Sequence, residues 1–265
     1  MRSSRDVAEN IRTASELIRE ARSAGADFIA TPENTTIMDE DRERLRTQLY
    51  PDDGANPSLR AFQDLAKELE CWVLIGAMPV LADDGRFFNR SILIKPDGSV
   101  AARYDKIHMF DVKVSASEQY QESKNFKPGA KGVIADLPWG KLGMTVCYDL
   151  RFPYLYRALA KAGASFITVP SAFTRVTGQA HWHVLLRARA IETGCFVIAP
   201  AQGGKHENGR ETYGHSLIVD PWGRVVGEGG DEPCVVMAKI DTDDVAKARG
   251  RIPSLEHTVE IGSIA

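Results

Sequence analysis

In "DVAENIRTASELIREARSAG", apolar side chains recur at Val7, Ile11, Ala14, Ile18 and Ala21, spacings of four and three that place them on one helical face. Gly25 supplies a stop, and "DFIAT" reads as a short buried strand. "PSLRAFQDLAKELECWVLIGAMPV" repeats the order, with Leu59, Phe62, Leu65 and Leu69 on one face before a Val/Leu/Ile strand. The pattern then changes: "FFNRSILIKPDGSVAARYDKIHM" is strand, Pro-Asp-Gly turn and strand, which predicts a hairpin. "YLYRALAKAGASFITVP" and "GQAHWHVLLRARAIETGCFVIAP" return to helix then strand, and "YGHSLIVDPWGRVVGEG" makes a second hairpin around Asp220, Pro221, Trp222 and Gly223.

Helix-strand units interrupted by hairpins predict an α/β protein with mixed sheets. Helices cover one face of each sheet, and a second sheet is the natural cover for the other, giving α-β-β-α layers. A three-layer α-β-α sandwich has the same periodicity. No low-complexity linker or strong internal repeat divides the chain, so one domain over residues 1–265 is expected.

With 43% hydrophobic residues the chain can bury a sizeable core. Its 33 basic and 36 acidic residues give a net charge of -3 without a basic block, which argues against a nucleic-acid partner. No stretch approaches the roughly 20 apolar residues of a membrane span, and the opening "MRSSRDVAENIRTASELIRE" lacks the apolar region of a secretory signal. Cys71, Cys147, Cys195 and Cys234 show no CxxC spacing, and a chain of this size does not depend on disulfides. A reduced, cytoplasmic protein with no membrane association is expected.

Candidate chemistry lies where strands end. In "GMTVCYDLRFP", Cys147 follows the strand-like "KLGMTV" and precedes Pro153 and the helical "YLYRALAKAG". A strand-to-helix turn can expose a side chain, and a nearby helix N-terminus lowers a thiol's pKa. A free cysteine is also one of the most commonly buried small apolar residues. Any of His108, His181, His183, His206, His215 and His257 could partner a nucleophilic cysteine, and spacing ties none of them to it. "IATPENT" puts Glu33 after a buried strand, and "ARYDKIHMFD" puts Lys106 after another. Each alone reads first as a solvated charge at a strand end; with Cys147 they supply a base, a cation and a thiol.

In this order, "TPENT", "YDKIHMFD" and "GMTVCYDLRFP" resemble the three motifs of the nitrilase superfamily of carbon-nitrogen hydrolases, and the resemblance spans nearly the whole chain. It implies that family's α-β-β-α fold, an amidase activity through a cysteine thioester, and a Glu33-Lys106-Cys147 triad. It further implies a second glutamate, Glu122 in "YQESKNFKPG", beside the lysine, and an oxyanion contact from the Tyr148 N–H. No metal or organic cofactor is implied, and the partners are a small-molecule amide substrate and further copies of the chain, as a dimer or larger homo-oligomer.

The stretches "SAFT" and "AQGGKHENGRETYGHS" resemble the branch acting on deaminated glutathione more than the ω-amidases acting on 2-oxoglutaramate. Either substrate carries carboxylates, which suit an arginine fork. Arg175 in "AFTRVTG" is the candidate; Arg151 reads equally as a structural ion pair, and His181 and Trp182 as pocket or core. Cys71, Cys195 and Cys234 are expected to be packing residues. Relatives open with a β-strand before the first helix, whereas here the helix follows Met1 almost at once. A late start or a truncated chain explains the absent first strand; a non-catalytic, oligomeric interaction protein on the same scaffold is the alternative.

Overall fold

Side-chain caps start the first two helices that the periodicity predicts. Asp6 accepts from the Glu9 N–H and opens α1 (Val7–Ser23), while Asn56 accepts from the Leu59 N–H and opens α3 (Pro57–Leu69). The computed structural model describes residues 1–114 and 118–263. Around these helices the first part of the chain forms β1 (Phe28–Ala30), α2 (Arg42–Gln48), β2 (Trp72–Leu81), β3 (Phe87–Ile94) and β4 (Val100–Asp105). A ribbon, β5 (Asp111–Lys113) and β6 (Gln119–Gln121), precedes β7 (Val133–Leu137), β8 (Gly140–Met144), α4 (Pro153–Lys161) and β9 (Ala164–Thr168). After α5 (Arg175–Thr193) and β10 (Phe196–Ala199) come a second ribbon, β11 (Gly203–Lys205) and β12 (Glu211–Tyr213), then β13 (Leu217–Val219), β14 (Val225–Glu228) and α6 (Asp243–Arg251).

One sheet has the order β1-β2-β3-β4, and the other β14-β13-β10-β9-β8-β7. β1 runs parallel to β2, and β8, β9 and β10 run parallel to one another. The hairpin strands pair antiparallel, so both sheets are mixed.

The two-residue period of a strand sorts side chains between layers. On β2 and β3, Val73, Ile75, Ile92 and Ile94 face α1 and α3, where they meet Ile18, Leu59, Phe62 and Leu65. The alternate residues Trp72, Leu74 and Leu93 pack with Leu142, Met144 and Phe166 of the second sheet. Leu155 and Leu159 of α4 and Leu186 and Ala190 of α5 belong to the same core and cover that sheet's outer face. Each such apolar side chain contributes about 1.5–3 kcal/mol by leaving water. The layers are α-β-β-α.

The short α2 has no signature in the periodicity, because only Leu45 of its seven residues is buried. Among the described residues no strand precedes α1. Instead the Gly203 N–H donates to the Met1 carbonyl at 3.0 Å, and the Ser3 N–H to Gln202 Oε1 at 3.0 Å. Cys71 and Cys195 are buried as expected, but Cys234 is exposed: it follows the solvated run Asp231-Glu232-Pro233 rather than entering a core. No described helix is long and apolar enough to cross a membrane.

Two concavities among the described residues bear on the site. The larger, about 740 Å³, borders the edge strand β1 and is lined by apolar groups including Ile18, Ile29, Leu142, Phe166 and Ile240. The smaller, about 500 Å³, is lined by Glu33, Lys106, Glu122 and Cys147. Size and chemistry disagree, and the polar side chains of the smaller one carry the candidate site.

Candidate active site

The segments that follow three strands deliver the three groups. Beyond β1 the chain turns at Thr31–Thr35: the Thr35 hydroxyl donates to the Pro32 carbonyl at 2.6 Å, and the Thr35 N–H to Ala77 at 3.0 Å. Gly76 makes room for this turn, because a Cβ there would lie 1.8 Å from the Thr31 carbonyl oxygen. The turn carries Glu33 inward, where it is only 4% exposed. Lys106 directly follows β4, fixed by its N–H to the Asn89 carbonyl at 3.0 Å and by the Gly129 N–H to its own carbonyl at 2.8 Å. Beyond β8, Cys147 begins a 3₁₀ turn, Cys147–Arg151, with a left-handed φ of 50° and its N–H on the Pro170 carbonyl at 2.9 Å. A non-glycine residue in that region is strained and persists where its surroundings hold it.

Lys106 Nζ donates to Glu33 Oε1 at 3.1 Å and to Glu122 Oε1 and Oε2 at 3.0 and 2.8 Å. Glu122 also accepts from the Phe110 N–H at 2.7 Å, and Glu33 Oε2 from the Ala172 N–H at 2.9 Å. Burial alone would push the Lys106 ammonium down, but the charges of Glu122 and then Glu33 reverse this and hold it well above its usual range. For Glu33, burial works toward a higher pKa; Lys106, the Cys147 thiol and Arg210 outweigh it and leave the carboxyl low, hence ionised.

The thiol behaves opposite to the expectation from its turn. Burial, and then the Glu33 charge, raise the Cys147 pKa, and the Lys106 charge does not compensate. Burial disfavours a thiolate first, and the negative charge of Glu33 beside the sulfur adds to it, so the resting group is a thiol. Passing its proton to Glu33 moves that charge without adding to it. The neighbouring Tyr148 N–H, in the first turn, has no acceptor among the described residues.

The structure therefore brings Glu33, Lys106, Glu122, Cys147 and Tyr148 to one cavity, and it leaves Arg175 outside. Arg175 opens α5 with a 61% exposed side chain, 3.8 Å from Glu211. Arg151 faces His181 Nδ1 at 3.3 Å, and Trp182 is core. Besides Lys106, the cavity is lined by Lys124 and by Arg210 from the loop before β12, whose Nη2 donates to the Ala172 carbonyl at 2.6 Å.

Two further residues organise the site without a strong signal in the sequence. Asn89 of β3 donates from Nδ2 to Glu33 Oε1 at 2.8 Å and Glu122 Oε1 at 3.2 Å, tying the two carboxylates together. An asparagine inside "FFNRSILI" is the one hint. Asp149, wholly buried, accepts from the Val146 N–H at 2.9 Å, the Tyr104 hydroxyl at 2.6 Å and the His108 N–H at 3.1 Å, and its Oδ1 lies 2.6 Å from His108 Nδ1. It joins the Cys147 turn to the segment after Lys106.

Comparison with known proteins gives a consistent set. Residues 1–250 match the family model described as carbon-nitrogen hydrolase. The deaminated glutathione amidase of Synechocystis sp. is 40% identical over 263 residues, 98% of this chain and 96% of that protein. The Homo sapiens protein of the same name is 39% identical, over 95% of this chain and 78% of its own. The solved structure of the C. elegans NitFhit protein superposes with a TM-score of 0.88 at 33% identity, covering 97% of this chain and 63% of that longer one. Saccharomyces cerevisiae Nit3, a member of branch 10 of the nitrilase superfamily, gives 0.86 at 28% identity, over 95% and 91%.

Proposed function

This chain is an amidase of the carbon-nitrogen hydrolase family, and we propose that it hydrolyses the amide of deaminated glutathione through a thioester on Cys147. The observation that carries the mechanism is the meeting of the Glu33 carboxylate, the Lys106 ammonium and the Cys147 thiol in one buried cavity. Cys147 Sγ attacks the amide carbonyl carbon while Glu33 accepts the thiol proton and passes it to the nitrogen of the departing amine. Lys106 and the Tyr148 N–H stabilise the oxyanion. Glu33 then takes a proton from water, the hydroxide attacks the thioester, and the proton returns to the sulfur as the carboxylic acid product leaves. Glu122 holds Lys106 charged and in place, and Asn89 keeps the two glutamates apart in role and close in space.

The names of the relatives support the substrate, and so does Arg210, whose fork at the cavity suits a substrate carboxylate. A cavity of about 500 Å³ is of the size that holds small organic ligands. Deaminated glutathione should be turned over with a higher kcat/KM than 2-oxoglutaramate, because its longer frame offers more remote binding energy for positioning the amide. Arg210→Ala should raise KM more than it lowers kcat. A roughly tenfold preference for 2-oxoglutaramate, about 1.4 kcal/mol at the transition state, would replace this substrate with the shorter one.

The exposed face of α5, with Val176, Val184 and Ile191 beside Trp222, supports self-association as a homodimer or larger homo-oligomer. Sedimentation that shows only monomer at assay concentration and above would remove that part of the reading.

A further inference from the structure

Away from the cavity, α5, the turn before β13 and the end of β14 bring two imidazoles and a carboxylate together. His183 Nε2 lies 2.9 Å from Glu228 Oε1, and His215 Nδ1 lies 3.3 Å from the same oxygen. One ligand-capable atom from each of the three residues lies within 4.8 Å of the others. None of the three lines the catalytic cavity.

The residues are held from behind. His215 has a left-handed φ of 55°, its N–H donates to the Gly230 carbonyl at 2.8 Å, and its carbonyl accepts from Trp182 Nε1 at 2.7 Å. Its ring stacks on Tyr213 with centroids 4.3 Å apart, and His183 meets the same tyrosine edge-on at 6.1 Å. The backbone bonds fix where His215 sits, and the aromatic contacts fix which way both rings face.

A carboxylate oxygen can accept two hydrogen bonds, and the same convergence is what a shared cation requires. Both nitrogens converge on a single oxygen of Glu228, while its other oxygen has no hydrogen-bond partner among the described residues. A tetrahedral ion with bonds of 2.0–2.2 Å holds its ligand atoms roughly 3.4 Å apart; His215 Nδ1 matches that spacing at 3.3 Å from the carboxylate oxygen, and His183 Nε2 at 2.9 Å reaches it by a small side-chain shift. Two imidazoles with one carboxylate suit a borderline divalent transition ion. All three side chains are partly exposed, which leaves water to complete the coordination.

We propose that His183, His215 and Glu228 form a site for a divalent transition metal of the zinc class, bridging α5 to the β13–β14 hairpin. The ion acts on the scaffold and not on the reacting atoms. Trp182, which holds His215, packs on Phe173 at the cavity wall with centroids 4.9 Å apart, so the bridge stiffens an element the cavity leans on.

The test titrates the chelator-treated full chain with Zn²⁺, reading stoichiometry by calorimetry and Tm by thermal unfolding. Because the Cys147 thiol also binds soft metals, the titration is repeated in Cys147→Ser. One Zn²⁺ per chain and a raised Tm are expected in both proteins. His183→Gln, Glu228→Gln and His215→Asn, the last tolerant of a left-handed backbone, should each weaken binding roughly tenfold or more and abolish the rise in Tm while folding without metal. The proposal is overturned if the wild type binds no Zn²⁺, if binding vanishes in Cys147→Ser, or if the three ligand variants bind as the wild type does.

Discussion

The catalytic cavity and the apolar groove occupy the same α-β-β-α frame, and they differ in what their linings cost. The groove is the larger, and its walls of Ile18, Ile29, Leu142 and Phe166 are what any folding chain would place there. The cavity holds an ionised Glu33 and a charged Lys106, both nearly excluded from water. Burying charges is costly unless each is paired and hydrogen-bonded, and here the pairing is close to complete: Lys106 with two glutamates, Asn89 with both, and the Ala172 N–H with Glu33. Apolar residues would stabilise the fold at those positions at least as well. A concavity's volume does not locate chemistry; buried charges that compensate one another do.

The sharpest way to test this contrast is to remove the reacting groups and leave the frame. Cys147→Ala should abolish turnover, and Glu33→Gln, which keeps its shape but cannot move protons, should lose roughly 10²–10⁴-fold or more. Both should retain the wild-type circular dichroism spectrum. If either hydrolysed substrate at the wild-type rate, the cavity would be another polar pocket.

A weaker blow falls on a residue that touches no substrate. Asp149 positions the nucleophile turn against the segment after Lys106. Asp149→Asn leaves a donor facing the Val146 N–H, and the displaced sulfur should lower kcat by about 100-fold, the scale of a 1 Å misplacement. KM should stay near the wild-type value. A fall in Tm with kcat unchanged would make Asp149 purely structural.

The difference between the regions also decides what could be read in the sequence. The period of three and four in α1 and α3, and the runs of Val, Ile and Leu in β2, are local consequences of one-sided burial, so the layers were legible. Glu33, Lys106 and Cys147 were noticeable as chemistry-bearing residues at strand ends, and their motifs joined them. Asn89 and Arg210 were not, because what matters about them is a meeting across dozens of residues that no local pattern encodes. The position of Arg175 was hidden for the same reason: capping by Thr174 starts α5 there and leaves its side chain exposed beside Glu211. The thiol's raised pKa was also hidden, since a turn predicts a nearby helix N-terminus, whereas burial and a carboxylate from the turn after β1 decide the outcome.

The smallest effect on turnover should come from the larger concavity. Ile18 of α1 is 1% exposed and borders the groove while packing in the core between α1, α3 and the first sheet. Ile18→Ala removes three buried carbons and leaves space that the neighbouring helix only partly fills, a change that typically costs about 2–5 kcal/mol. Denaturant unfolding should show that loss as a lower midpoint with an unchanged slope, since the surface exposed on unfolding hardly alters. At a temperature where the variant is fully folded, kcat and KM should match the wild type, because the damage lies on the helix-facing side of the first sheet and the reacting groups are fixed by turns at strand ends. A folded Ile18→Ala that lost tenfold in kcat would show that packing beside the groove sets the geometry of the Glu33 turn, and the two regions would then have to be treated as one mechanical unit.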